Sequence, residues 1–343
     1  MSTLFQSKDL SLESQWRSLI LFGKNSATYK FAFAKTLIDI IDAETTSVTL
    51  GDLAVPFAAH IVEHLRQNDK QGNSQSSKYL NSCRAYINGS IDIDQLHLET
   101  ERLGFVNVID AFQNVNGDII PNRFYDKNFG SGKKEIIIRD SLLKLRDTFQ
   151  YTNLGLEVEA RWKLVETAWS LEINKNLLEV QYDEQDSLLF VQDNFMKRLN
   201  ITSVRDALNG YQKGKCFYSF NDITINSEVS KRICAVDHFL PHIHKRQHHS
   251  KGANINGVWN LVLADAEVNN DKRARIPERR FLERLFNRNE FYIESKHPLA
   301  ETIINQTGST RQQRIHFLEK QYNLASELGI HKWQPKFELP GNF

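Results

Sequence analysis

The sequence predicts an α+β protein, mostly helical, with a small strand–strand–helix module embedded in a helical scaffold. Three observations carry this. Apolar residues recur at helical spacing over long stretches: Tyr29, Phe33, Leu37, Ile40 and Ile41; Leu53, Phe57, Ile61 and Leu65; Val158, Trp162, Val165 and Trp169. Between Arg232 and Pro277 that period gives way to two short apolar runs and a brief polar helix, in RICAVDHFLPHIHKRQHHSKGANINGVWNLVLADAEVNNDKRARIP. The composition, 41% hydrophobic and 25% charged over 343 residues, is that of an ordinary soluble globular chain.

The same numbers exclude several classes. Three cysteines, Cys83, Cys216 and Cys234, make no disulfide framework and fit a reducing cytoplasm. The first residues, MSTLFQSKDL, lack a basic region followed by an apolar core. No apolar run is long enough to cross a bilayer, so a membrane is not expected as a partner. A net charge of +1 says nothing of partners; the distribution of charge does. No internal repeat is visible.

In order, a helix is expected over Leu12–Leu21, closed by Phe22-Gly23. A stronger one follows over Ala27–Ala43, capped by Asn25 or Ser26. Lys30 and Lys35 flank its stripe as a solvated face. Leu50–Gln67, Lys78–Ile87, Ile93–Leu103 and Asn107–Phe112 read as further helices, with Asp69–Ser77 a polar loop. Asn116–Lys134, rich in Asn, Gly and Asp, reads as an exposed loop, Glu135–Ile138 as a short strand and Ser141–Phe149 as a helix. Leu156–Leu171 is a helix whose two tryptophans belong to the core. Leu177–Tyr182 and Leu188–Val191 suggest a hairpin around Asp183–Ser187, and Ser203–Tyr211 is a helix leading into a strand at Lys215–Phe220. Gln312–Leu328 is a C-terminal helix, and Trp333 and Pro335 close the chain against the core. The expected organisation is a mainly helical region over 1–200, the module over 201–285 and a helical extension over 286–343.

Within the module, Arg232–Phe239 reads as a strand ending in Asp237-His238 and closed by Pro241. Val258–Ala264 is a second strand carrying Asn260, and Asp265–Ala274 is a helix with Asp265 as N-cap and Pro277 as stop. These residue types suit phosphodiester hydrolysis. His238 would be the general base. Asp237 is a hard oxygen ligand for Mg²⁺ or Mn²⁺, and Asn269 would add a carbonyl oxygen. Asn260 would hold the imidazole through its Nδ1–H. Lys272 lies three residues after Asn269 on one helix face and would reach a phosphate. Adjacent strand residues face opposite ways, so the strand must end or bulge at Asp237-His238 for both to serve one site. Each residue alone has an ordinary structural explanation; together and in order on this frame they point to a site. His242, His244, His248 and His249 read as a solvated loop facing nucleic acid.

On these residues the segment is similar to the HNH (ββα-metal) endonuclease family. That family's pattern is C-x-x-C, then D-H with a following Pro, then N-L, then C-x-x-C-N-x-x-K. Asp237-His238 with Pro241, Asn260-Leu261, and Asn269 with Lys272 match it. The resemblance implies His238 as base, Asp237 and Asn269 as ligands of one divalent ion, and Asn260 orienting His238. The family's zinc-binding cysteines fall at Cys216, Ser219, Asp265 and Val268. Three of the four are therefore missing, and structural zinc is expected to be absent, with Phe217, Phe220 and Val268 packing in its place. The layout, with Leu21–Ile40, Leu156–Leu171 and Ser203–Phe220, also resembles bacterial HNH proteins with long helical N-terminal regions. Some of these are thought to serve in restriction or phage defence.

Lys272, Arg273, Arg275, Arg279, Arg280, Arg284 and Arg288 follow closely, with Lys213, Lys215, Lys231, Arg232, Lys245, Arg246 and Lys251 upstream. A basic rim suits a nucleic-acid partner, DNA being favoured. Lys272, Arg273, Lys245 and Arg246 are expected towards substrate, and Arg284 and Arg288 towards structure. A duplex break needs two cuts, which fits a homodimer, and a regulatory partner protein is compatible. Two functions stay open: a divalent-metal-dependent endonuclease, and a nucleic-acid-binding module with a degenerate, inactive site.

Overall fold

Apolar stripes become buried helix faces throughout the chain. A computed structural model describes residues 10–22, 27–42, 44–72, 77–115, 117–130, 132–170, 180–192, 198–226, 234–294, 299–329, 332–341 and 343. The protein is α+β and mostly helical, with small, mainly antiparallel sheets. It divides into two compact units, Met1–Trp162 and Lys163–Phe343. The division falls inside the helix Tyr151–Ser170. Among the described residues no helix is long and apolar enough to cross a membrane.

In the first unit, helices α1 (Leu12–Phe22), α2 (Tyr29–Ile40), α3 (Leu50–Gln67), α4 (Lys78–Ile87), α5 (Ile93–Glu99), α6 (Val108–Phe112) and α7 (Asp140–Arg146) form most of the structure. α3 starts where Thr49 accepts from the Asp52 backbone N–H at 3.1 Å. It buries Leu53, Phe57, Ile61 and Leu65, the stripe read from the sequence. Phe33 anchors the core edge-on to Phe105, Phe112 and Tyr125. The segment expected as an exposed loop instead contains strands. Asn114–Val115 (β2) pairs with Asp118–Ile119 (β3), and Tyr125–Asn128 (β4) joins Ser47–Thr49 (β1) on either side of Glu135–Ile138 (β5). Phe124 and Tyr125 are buried there, outweighing the polar composition around them. Lys35, expected to be solvated, donates to Glu159 at 2.6 Å.

The second unit opens with an antiparallel sheet of Gln181–Asp183 (β6), Leu188–Gln192 (β7) and Arg198–Ser203 (β8). The hairpin was legible from the sequence, although Leu177–Glu179 lies outside the described residues, as do Gly23, Asn25, Ser26, Lys231 and Arg232. Val204–Gln212 (the helix after β8) leads not into a strand but into a tight loop. Cys216 N–H donates to Asn221 O at 2.8 Å, Phe220 N–H to Cys216 O at 3.0 Å, and Phe220 sits at φ 58°. That left-handed residue is incompatible with an extended run over Lys215–Phe220.

Ala235–His238 (β9) and Leu261–Ala264 (β10) pair antiparallel, Asp237 opposite Val262 and His238 opposite Leu261. The start of the expected second strand, Val258–Asn260, is instead a 3₁₀ turn. Gly257 precedes it where a Cβ would lie 2.6 Å from the Trp259 ring. The following helix, Ala266–Lys272, is capped by Asp265, whose Oδ1 accepts from Glu267 and Val268 N–H at 2.8 and 3.3 Å. It ends before Arg273, at φ 50°, four residues short of Pro277. Between the strands lies a helix, Lys245–Ser250. Arg279–Glu294, Ala300–Thr307 and Arg311–Leu328 complete the unit with the parallel pair Ile276–Pro277 and Lys332–Trp333. Arg288 is buried and donates to the carbonyls of Val258, Trp259 and Leu261, and Arg284 to those of Phe217 and Tyr218. Both therefore act in structure, as read from the sequence.

Candidate active site

β9 ends at His238, and the chain bends through Phe239 and Leu240 to Pro241. This ending lets two adjacent residues serve one place. Asp237 and His238, with His242 beyond the bend and Asn269 and Arg273 from the helix and its end, line a single cleft of about 680 Å³. The sequence-predicted base and both predicted metal ligands thus border the same space.

Asp237 is buried, and both of its oxygens are held. The Tyr218 hydroxyl donates to Oδ2 at 2.6 Å. The Lys272 ammonium lies 3.1 Å from Oδ1 and 3.0 Å from Oδ2 and also donates to the His238 carbonyl at 2.8 Å. Burial pushes the carboxyl above its ordinary value in spite of Lys272 and Tyr218, which pull it down. Lys272 is fully buried. The expectation that Lys272 reaches a phosphate is thus overturned: its side chain points into the module and ties Asp237 to the strand end.

Asn260 also differs from expectation. Its Oδ1 accepts from Leu240 N–H at 2.8 Å, and its Nδ2 donates to the carbonyls of Leu240 and Ile255 at 3.0 and 2.9 Å. That side chain is spent on backbone, so it orients His238 only indirectly, by pinning the bend after β9 to the loop before β10. The imidazole itself is held by Asn256, whose Oδ1 lies 3.0 Å from Nε2. With the amide so assigned, Nε2 carries the proton and Nδ1 is the basic nitrogen. Burial pushes His238 down to about 4, against the charge of Glu184 and the Asn256 bond. The ring is neutral at physiological pH, the form a proton acceptor needs.

Arg273 is exposed at the cleft. Its positive φ is costly for a residue with a side chain, and such strain tends to collect at functional sites. Lys245 and Arg246 are exposed on the helix between the strands. The four histidines do not behave alike. His248 is fully buried with Nδ1 2.7 Å from Gln321 Oε1, so it is no part of a solvated loop. His242 lines the cleft with Nε2 3.3 Å from Glu184 Oε2.

The residues fit one divalent ion sparsely. Asp237 and Asn269 would hold it, and Oδ1 of Asp237, which accepts from Lys272, keeps a second lone pair. A hard ion with two protein ligands would keep most of its water. Among the described residues no group of three His, Cys, Asp or Glu side chains is gathered to hold a metal. At the four positions of the family's zinc cysteines stand a buried thiol at Cys216, a buried Ser219, a helix cap at Asp265 and an apolar Val268. Phe217 and Phe220 are buried alongside.

Sequence reasoning missed Tyr218, Asn256, Tyr182 and Glu184. Tyr182 lies with its ring 6.0 Å from that of His238. None carries a local signal, since each becomes relevant only through a tertiary neighbour. Comparisons of the chain with family models, with curated proteins and with solved structures found no match.

Proposed function

We propose that the chain is a divalent-metal-dependent endonuclease that hydrolyses phosphodiester bonds of nucleic acid, DNA being favoured. The observation that carries this reading is the meeting of Asp237, His238 and Asn269 on one cleft from a strand end and a helix. Nδ1 of His238 takes a proton from water, and Asn256 holds the opposite nitrogen so that the ring cannot turn away. The water oxygen attacks phosphorus. Arg273, at the cleft, and Lys245 and Arg246, on the neighbouring helix, hold the backbone phosphates. A divalent ion, Mg²⁺ or Mn²⁺, on Asp237 and Asn269 would neutralise charge building on the phosphate. The similarity to HNH endonucleases adds restriction or phage defence in the cytoplasm to the proposal, with a homodimer for double-strand cuts.

A second reading is a nucleic-acid-binding module with an inactive site. It is favoured by the Lys272 ammonium seated on Asp237, where a metal would otherwise be the nearest cation. Supercoiled plasmid incubated with the protein and Mg²⁺ or Mn²⁺ separates the two. The endonuclease yields nicked and then linear DNA, whereas a binding module retards DNA in a gel and leaves it intact.

A further inference from the structure

His242 and Glu184 lie outside the motif that directed attention to this cleft. His242 borders the cleft, and its ring centroid is 5.3 Å from that of His238. Its Nε2 is 3.3 Å from the Glu184 carboxylate, which the turn between β6 and β7 brings over the site. The same hairpin presents Tyr182 to His238. Two imidazoles thus share one cleft with unlike neighbours. His238 faces an amide carbonyl in a buried setting. His242 faces a carboxylate, and 38% of its side chain is exposed. Two titratable rings set against unlike partners on one cleft are the arrangement a base and an acid acting on one substrate need.

We propose that His242 is the general acid of the site, with Glu184 as its positioning residue. This rests on the endonuclease reading. As His238 removes a proton from water, the water oxygen forms the new bond to phosphorus. The bond to the leaving sugar oxygen breaks, and its electron pair stays on that oxygen. His242 gives that oxygen a proton, so the product leaves as a hydroxyl. One proton has been gained by His238 and one lost by His242, and exchange with solvent restores both. Nε2 is buried 3.3 Å from Glu184, so Nδ1 is the nitrogen left to donate.

The test uses two substrates whose leaving groups differ in their need for a proton. Plasmid DNA releases a sugar hydroxyl, a strong base unless protonated, whereas bis(p-nitrophenyl) phosphate releases a nitrophenolate that departs as an anion. With the full chain and Mn²⁺, His242→Gln is expected to slow plasmid cleavage by about 10²–10⁴-fold and to leave nitrophenyl ester hydrolysis little changed. Glu184→Gln, at a carboxylate whose side chain is 47% exposed, is expected to give a smaller loss with the same selectivity. His238→Ala should slow both substrates alike, because both need the activated water. If either cleft variant slows the two substrates in parallel, or leaves plasmid cleavage untouched, the assignment of His242 is overturned while the endonuclease reading stands. If the wild-type chain hydrolyses neither substrate, that reading fails and His242 loses its role with it.

Discussion

At the scale of single residues, burial decides which charged side chains serve structure and which serve substrate. Lys272 and Arg273 are adjacent in sequence, yet one is fully buried on Asp237 and the other is exposed at the cleft. Removing Arg273 as Arg273→Ala should lower the salt dependence of DNA binding by about 0.9 in log–log slope, the share of one phosphate contact. Lys272→Met should leave that slope unchanged and cost about 3–5 kcal/mol of stability in urea unfolding, because a buried carboxylate loses its partner. Equal slopes for the two variants would contradict the division. Asn260→Ala leaves the Leu240 N–H and two carbonyls without their bonds, at about 1–3 kcal/mol for each buried group left unpaired. Its unfolding midpoint should fall sharply, whereas a midpoint matching wild type would show that the bend after β9 does not depend on that side chain. Asn260 also marks a limit of reading from sequence. Its place in the pattern was visible, but its hydrogen-bond partners belong to Leu240 and Ile255, and nothing in the order of residues reveals them.

At the scale of elements, what repeats along one helix face was legible and what depends on a distant neighbour was not. α3 was readable from Leu53, Phe57, Ile61 and Leu65 although Pro56 lies within it, because burial of that stripe outweighs one missing N–H. Arg279, Arg280, Arg284 and Arg288 read as part of a basic rim, and Phe281, Leu282, Leu285 and Tyr292 bury one side of a helix there. Its arginines drew attention away from that face. Lys215–Phe220 read as a strand, while the chain folds back through a left-handed Phe220. The helix after β10 was placed correctly at its start because Asp265 is a cap with a local signal. Asp265→Ala should destabilise the second unit by about 0.5–2 kcal/mol. Because Asn269 rides on that helix, the proposed nuclease activity should fall further than global stability does. Circular dichroism and plasmid cleavage on the same variant would check this, and a loss of stability with fully retained activity would detach the helix start from the site.

At the scale of the whole chain, the two units carry different ionic arrangements. In the first, Glu159 is held well below the ordinary carboxylate value of 4.5: burial pushes it up, but His64 and Lys35 outweigh that. A depressed carboxyl contributes stability that is complete above its unfolded-state value and is lost as pH falls towards its folded-state value. Urea stability should therefore begin to fall as pH drops through about 4.5 and keep falling in more acid solution, and Glu159→Gln should flatten that fall. An unchanged profile in the variant would place the acid sensitivity elsewhere. Buried Arg17–Glu157 and His64 stacked 3.5 Å from Trp162 belong to the same unit and have no evident tie to chemistry. In the second unit Asp237, His238 and His242 border one cleft. The central claim concerns that cleft, and the most direct measurement is the rate of plasmid nicking by His238→Ala beside the wild-type chain in saturating Mn²⁺, with DNA binding measured in parallel. The account predicts that the variant binds DNA as the wild type does and cuts it at least about 10²-fold more slowly. Nicking at the wild-type rate by a chain without this imidazole would contradict it.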